Sequence, residues 1–382
     1  MMCVSGNPLR YPNYTGFAGV ANPDSPKGDN IMKKWKVAVI GCGSIAGYAH
    51  FPSYAKMKDH AEVVACADIV PEKAKAAAEK WGIPHWYASV EELLANEPEV
   101  DYVDVCTWTA AHAPVTIAAA KAGKHVLCEK PLAANLEQGL AMAEAIREAG
   151  VTFMLAVCTR YGSEQQKFIE LRDAGTFGDI YLAKTAYVRR RGVPGGWFTN
   201  KAIAGGGPVL DIGVHAIDRT WYLMGKPNPI SVSAEVSYRI GKNNSEASFT
   251  WGEGLADRPG PEIFDVEDSA AVFFRFEGGK AMIAEASWTI NGREEFYSKL
   301  YGTKAGVSFD PLTIYGTDEN GKLTDEKVEV PGNDFYEDEI RHFIACLDEG
   351  KEPISPMSDA LVIQKMLDGI YRSAEAHAEV KI

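Results

Sequence analysis

At 382 residues the chain is long enough for two average domains, and its 46% apolar and 24% charged residues are ordinary for a globular protein. A formal net charge of −13 excludes wholesale binding to nucleic acid or to an anionic membrane surface, since both need basic faces. No apolar stretch is long enough to span a bilayer, and seven scattered cysteines without a CxxC pair point to reduced thiols in the cytoplasm.

Residues 1–32 are rich in Gly, Pro, Asn and Tyr and read as a flexible N-terminal arm or extension, either dispensable or packed on a partner subunit. They lack a basic start followed by an apolar block, so they do not read as a secretory signal. Residues 33–157 alternate strand and helix signals. Strands are expected at Lys36–Ile40, Glu62–Asp68, Tyr102–Thr107, His125–Cys128 and Thr152–Val157. Helices are expected at Pro71–Trp81, Pro114–Ala122 and Leu136–Ala149, with a short one opened by the capping box Ser89-Val90-Glu91-Glu92. That alternation predicts a doubly wound parallel sheet. Cys66, Cys106 and Cys128 fall in its apolar runs and read as small core residues.

In residues 158–382 the period changes to two. Tyr181–Val188, Ile230–Tyr238, Ala270–Phe276 and Ala281–Trp288 predict a large, mostly antiparallel open sheet with one face covered. Turn signals at Glu277-Gly278-Gly279-Lys280, Asn291-Gly292 and Asn320-Gly321 join its strands. Helices are expected at Glu164–Ala174 and Pro208–Met224, around Phe335–Leu347, and at Leu361–Ala376. The fold class is therefore α/β at the N-terminal side and α+β beyond it.

Gly41-x-Gly43-x-x-Ala46 follows a strand and opens a helix, the context in which a glycine turn holds a dinucleotide. Gly41 permits the tight turn, Gly43 lets pyrophosphate approach the backbone, and Ala46 lets helix and strand pack closely. Ser44 and Ile45 start the helix, whose N-terminus offers N–H groups and a positive dipole end to phosphate. Asp68, at the end of the second strand, is placed to accept the adenosine ribose hydroxyls, or is a solvated loop acid. With no Arg after it, it favours NAD over NADP. Thr107 and Trp108 follow the strand at residue 102, at the edge where open sheets bind ligands; Trp108 either covers the cofactor or packs. His112 is expected to begin and orient the next helix.

Glu129-Lys130-Pro131 follows the next strand at the same edge, so Glu129 and Lys130 are candidate cofactor contacts and the Lys130 ammonium is expected near the nicotinamide, where a substrate hydroxyl reacts. Asp211, His215 and Asp218 are spaced i, i+4 and i+7 on one helix face, beside an apolar stripe. His215 is the candidate acid/base and Asp211 the group that orients it, unless the two form a helix-surface pair. Gly213 between them is read as making room for a ligand. Arg160, Arg189, Arg191 and Trp197 are further candidate substrate contacts, the arginines for a carboxylate, a phosphate or acidic neighbours and Trp197 for a sugar ring or the nicotinamide. No HxxxH or His/Cys cluster occurs, so no metal is expected.

Over residues 35–375 the chain resembles the Gfo/Idh/MocA oxidoreductases, in VAVIGCGSIAG, AGKHVLCEKPLA, GGGPVLDIGVHAID, Val266-Glu267-Asp268 and Tyr301-Gly302-Thr303-Lys304-Ala305-Gly306. The resemblance implies an N-terminal Rossmann domain and a C-terminal domain whose sheet makes homodimers or homotetramers. It also implies NAD(P)-linked chemistry on a sugar or cyclitol, with Lys130, Asp211 and His215 as the catalytic trio. Trp108 departs from the family, where Pro or Asn is usual. The arm carries no twin-arginine signal for export. The expectation is a cytoplasmic NAD-dependent dehydrogenase. The alternatives are an enzyme that retains NAD for epimerisation or glycosidic cleavage, and a non-catalytic NAD-binding sensor.

Overall fold

The computed structural model describes residues 33–243, 263–309 and 311–382. The arm expected over residues 1–32 lies outside them. Short runs of small and β-branched residues form a parallel sheet whose central strands are buried on both faces, as helix-covered strands must be, while the edge strand at His85–Tyr87 is largely exposed. In chain order the elements are β1 (Trp35–Ile40), α1 (Phe51–Lys56), β2 (Ala61–Ala67), α2 (Pro71–Trp81), β3 (His85–Tyr87), α3 (Val90–Asn96), β4 (Tyr102–Val105), α4 (Thr109–Lys121), β5 (His125–Glu129), α5 (Leu136–Ala149) and β6 (Phe153–Ala156). The strands lie in the order β3-β2-β1-β4-β5-β6. The order reverses between β1 and β4, which opens a crevice at their carboxyl ends.

The expected capping box holds: the Ser89 hydroxyl accepts from the Glu92 N–H, and the Glu92 carboxylate accepts from the Ala88 N–H. Helix α4 begins before the expected Pro114, which sits inside it rather than at its first turn. The start is set by Trp108, whose extended backbone caps the helix.

The second part contains α6 (Ser163–Asp173), β7 (Ile180–Val188), α7 (Lys201–Ala204), α8 (Val214–Leu223), β8 (Pro229–Ser237), β9 (Ser269–Phe276), β10 (Ala281–Ser287), β11 (Glu295–Gly302), β12 (Gly306–Ser308), β13 (Thr313–Thr317), β14 (Leu323–Lys327), α9 (Phe335–Glu349), α10 (Met357–Ala376) and β15 (Val380–Lys381). Its strands form one nine-stranded sheet, β14-β13-β12-β11-β7-β10-β9-β8-β15, antiparallel except for the β7–β10 pair. Asn291-Gly292 therefore does not close a hairpin: β7 lies between β10 and β11. Glu277–Lys280 and Asn320-Gly321 do join neighbours, β9 to β10 and β13 to β14.

One face of this sheet packs on α8 and α10 through Ile217, Trp221, Ile363, Met366 and Ile370. Helix α10 starts four residues before the expected Leu361, because Pro356 precedes its first turn and Asp359 occupies that turn. Helix α9 instead packs into the core of the parallel sheet, where Ile340, Phe343 and Ile344 meet Val37 and Tyr102. The expected helix at 208–224 is also divided. Pro208 caps a widened π-helical turn, Val209–Gly213, and α8 follows it.

Candidate active site

The glycine turn after β1 is built for close approach. Gly41 has φ +94°, and a Cβ there would lie 2.6 Å from the carbonyl oxygen of Cys106, beyond the end of β4. Beside Gly43 nothing lies within 4 Å of where a Cβ would be, so a ligand can reach the backbone there. Ser44 and Ile45 form the first turn of the helix, and Ala46 is fully buried against the sheet. Asp68 closes the other side: its carboxylate accepts from the N–H groups of Cys42 and Val70, each at 2.9 Å. The turn, the open space at Gly43 and the acid at the strand end fit a dinucleotide.

Thr107 and Trp108 are half-buried at the end of β4, with the Thr107 hydroxyl donating to the Trp108 carbonyl. His112 lies inside α4 rather than ahead of it. Its ring is buried between two carbonyl oxygens, with Nδ1 2.7 Å from that of Pro131 and Nε2 3.2 Å from that of Thr107. Burial pushes its pKa down, and a neutral ring donates its single N–H to one of these two carbonyls. The Lys130–Pro131 peptide bond is cis.

Lys130 reaches across to the helical turn that carries Asp211. Its ammonium donates to the Asp211 carbonyl at 2.8 Å and to the Asp211 carboxylate at 3.3 Å. The other carboxylate oxygen of Asp211 accepts from the indole N–H of Trp288 at 2.9 Å. Lys130, Asp211, Pro131, Thr109, Trp197 and Phe198 line one small cleft. Trp197 and Phe198 stack with ring centres 3.9 Å apart. Asp211 lies in the widened π-helical turn, a distortion found often at functional sites.

His215 opens α8 and is half-buried, with its Nδ1 atom buried and lacking a hydrogen-bond partner among the described residues. Burial, and then the charges of Lys130, Arg189 and Arg219, hold its pKa well below the usual histidine value. The expected Asp211–His215 bond is not formed, because Asp211 is committed to Lys130 and Trp288. Asp218 does not share the cleft either. The widened turn alters the helical spacing, and Asp218 is fully buried against Arg160.

Arg160 is therefore not a cleft contact. Fully buried, it pairs with Asp218 at 2.6 and 2.8 Å and with Asp359 at 2.8 Å, as an interior guanidinium must. Arg189 and Arg191 do not alternate along a strand, since β7 ends at Val188. Arg189 lies over the Tyr187 ring and bonds the Gly192 carbonyl; Arg191 bonds Ile290 and Asn291. Gly213 makes room for the sheet rather than for a ligand: a Cβ there would lie 3.0 Å from that of Ala286.

Trp288, Thr109, Phe198 and Glu267 are the site residues that the sequence reading missed. Buried Glu267 accepts from the N–H groups of Gly207 and Val209 and from the Tyr371 hydroxyl, which anchors the start of the segment that carries Asp211. A lone acid before a strand gives no sign of that destination; its place in the Val266-Glu267-Asp268 motif is the one available signal.

Residues 35–157 match the oxidoreductase family with an NAD-binding Rossmann fold, and residues 166–308 match the GFO/IDH/MocA C-terminal domain. D-glucoside 3-dehydrogenase of Escherichia coli is 34% identical over 352 residues, which cover 91% of this chain and 97% of that one. Levoglucosan dehydrogenase of Pseudarthrobacter phenanthrenivorans is 30% identical over 301 residues, 73% of this chain and 74% of that one. A structure of levoglucosan dehydrogenase in complex with NADH and L-sorbose superimposes with a TM-score of 0.80 at 26% identity, covering 92% of this chain and 99% of the other. With both domain types matched and nearly the whole length of a 34%-identical relative covered, the chain belongs to the Gfo/Idh/MocA family of NAD-binding oxidoreductases.

Proposed function

We propose that the protein is an NAD-dependent dehydrogenase acting on a secondary alcohol of a sugar, cyclitol or sugar derivative, with Lys130 and His215 handling the substrate proton. The observation that carries this reading is the pairing of a cleft-lining ammonium with a neutral imidazole. Lys130 is held to Asp211, and His215 is kept uncharged with its Nδ1 unpartnered. A neutral imidazole accepts the hydroxyl proton as the alcohol is oxidised, and an ammonium stabilises the negative charge that develops on its oxygen. Asp211, braced by Trp288, aims the ammonium. The Gly41–Ile45 turn and Asp68 would hold NAD, which would supply the hydride acceptor when bound.

The Asp68 carboxylate repels a 2′-phosphate, so NAD is preferred to NADP. Trp197 and Phe198 offer a flat apolar wall to a sugar ring. The glucoside and levoglucosan relatives support a pyranose-type substrate. A cytoplasmic homodimer or homotetramer joined through the nine-stranded sheet accompanies this reading.

Purified protein incubated with NAD and a panel of glucosides, anhydrosugars and inositols tests it. The expected result is free reduced nicotinamide formed in equal amount to a ketosugar. Product formed without net reduction of NAD would instead support an enzyme that retains its cofactor and oxidises the sugar transiently. NAD binding with turnover of none of the panel would support a sensor.

A further inference from the structure

Beneath the Glu129-Lys130-Pro131 turn lies a buried polar cluster that the mechanism above does not use. Its centre is His50, at the start of α1, with 1% of its surface exposed. The imidazole is gripped at both ends: Nδ1 is 2.7 Å from the Asp104 carboxylate, and Nε2 is 3.0 Å from the Glu129 carboxylate. Tyr54 donates its hydroxyl to the same Asp104 oxygen at 2.8 Å, and Tyr102 donates to the Tyr54 oxygen. The Cys106 thiol lies 3.5 Å from the second Asp104 oxygen. From α9, buried Glu339 adds a carboxyl whose pKa burial pushes well above the usual range.

His50, Asp104 and Cys106 bring donor atoms of metal-ligand type within 4.8 Å of one another, but these atoms are engaged in the hydrogen bonds just described. A carboxylate stands at each ring nitrogen, and a protonated ring has an N–H for both. Burial opposes charge on His50, yet Asp104 outweighs that and raises its pKa well above the ordinary value.

The connection to the cleft runs through Glu129. One of its carboxylate oxygens faces His50; the other accepts the backbone N–H of Lys130 at 3.1 Å. A carboxylate fixed at one end therefore fixes the backbone from which the Lys130 side chain departs, and that side chain ends at Asp211. We propose that His50 is a positioning residue: as an imidazolium clamped between Asp104 and Glu129, it holds the Glu129–Lys130 turn and so aims the Lys130 ammonium at the reacting oxygen. This rests on the reading that Lys130 acts on the substrate.

Four proteins test it: wild type, His50→Gln, Lys130→Ala and the double variant, assayed below their melting midpoints with the sugar that gives turnover. Glutamine keeps a hydrogen-bonding side chain but cannot carry charge or bridge both carboxylates. His50→Gln should lower kcat about ten- to a hundred-fold, the effect of a small misplacement at a reacting centre, with the Kd for NAD changed less than about two-fold. The deuterium isotope effect from substrate labelled at the oxidised carbon should rise, because hydride transfer becomes the slow step. In the Lys130→Ala background His50→Gln should cost nothing further.

A folded His50→Gln protein with unchanged kcat and isotope effect, beside an inactive Lys130→Ala, would overturn the proposal and leave the function intact. So would losses that multiply in the double variant. Full activity in Lys130→Ala would instead remove the functional reading. Should His50→Gln not fold, Glu129→Gln breaks the same link, and an unchanged kcat there would equally overturn the proposal.

Discussion

A half-buried imidazole beside three cations stays neutral until the pH falls well below the usual histidine range. The sign of the expected pH dependence follows. Under the proposed mechanism oxidation needs the unprotonated ring, so kcat/KM should hold level down through pH 6.5 and fall only below it, when His215 takes up a proton. A pH profile with its acid limb centred at or above 6.5 would contradict that. Trp288 offers a second residue-scale prediction. Trp288→Phe removes the indole N–H that holds Asp211 and leaves most of the packing in place. One such bond is worth about 1 kcal/mol, so kcat should drop roughly five-fold with little change in the Kd for NAD. At this scale the motifs single out Lys130 and Asp211, which line one cleft, while the helical spacing that paired Asp211 with His215 is changed by the widened turn. The sequence does not mark Trp288 or His50, whose roles depend on what folding puts opposite them. It also overreads Arg160, since the same guanidinium suits a cleft or a buried ion-pair cluster until its carboxylate partners are placed.

Helix α9 shows the limit at the scale of elements. Its apolar spacing is plain in Phe335–Leu347, but periodicity names a helix and not the surface that receives it. The receiving surface is the core of the parallel sheet, where Phe343 is fully buried and meets Tyr102 edge-on at 5.2 Å between ring centres. Phe343→Ala should cost about 3–5 kcal/mol in a denaturant melt. A loss below about 1 kcal/mol, within the range of surface substitutions, would contradict that burial. On the same helix His342 accepts the Ile354 N–H at Nε2, and burial pushes its pKa down to about 4. The folded chain therefore takes up this proton later than the unfolded chain does. The stability that this group contributes is complete above pH 6.5, shrinks by up to about 1.4 kcal/mol per pH unit on acidification, and is gone near pH 4. His342→Gln should flatten the melting temperature over that interval; an equally steep profile in the variant would place the effect elsewhere. The segment that carries Asp211 is a similar case. Pro208 and the apolar spacing announce a helix, while the widened turn at Val209–Gly213 depends on Glu267 and on the close seat of Gly213 against β10.

For the whole molecule, the alternation of strand and helix signals up to residue 157 specifies a parallel sheet, because short buried strands with crossover helices have one common solution. The period of two beyond it specifies a covered antiparallel sheet. What the pattern does not carry is strand order: β7 and β10 pair in parallel across nearly a hundred residues, and no local turn records that. The glycine turn, the Lys130 loop and the turn that carries Asp211 are far apart in the chain, and these two sheets place the last two around one cleft at the carboxyl edge of the first. Cofactor choice is a consequence at this scale, since Asp68 stands at the edge of the crevice: kcat/KM should be at least about ten-fold higher with NAD than with NADP, and a preference for NADP would refute it. The most direct test of the central claim is a single-turnover measurement of nicotinamide reduction in wild type, Lys130→Ala and His215→Ala at saturating NAD and sugar. Each variant should reduce NAD at least about a hundred-fold more slowly while binding it as tightly as wild type; wild-type rates in both would contradict a mechanism built on this ammonium and this imidazole.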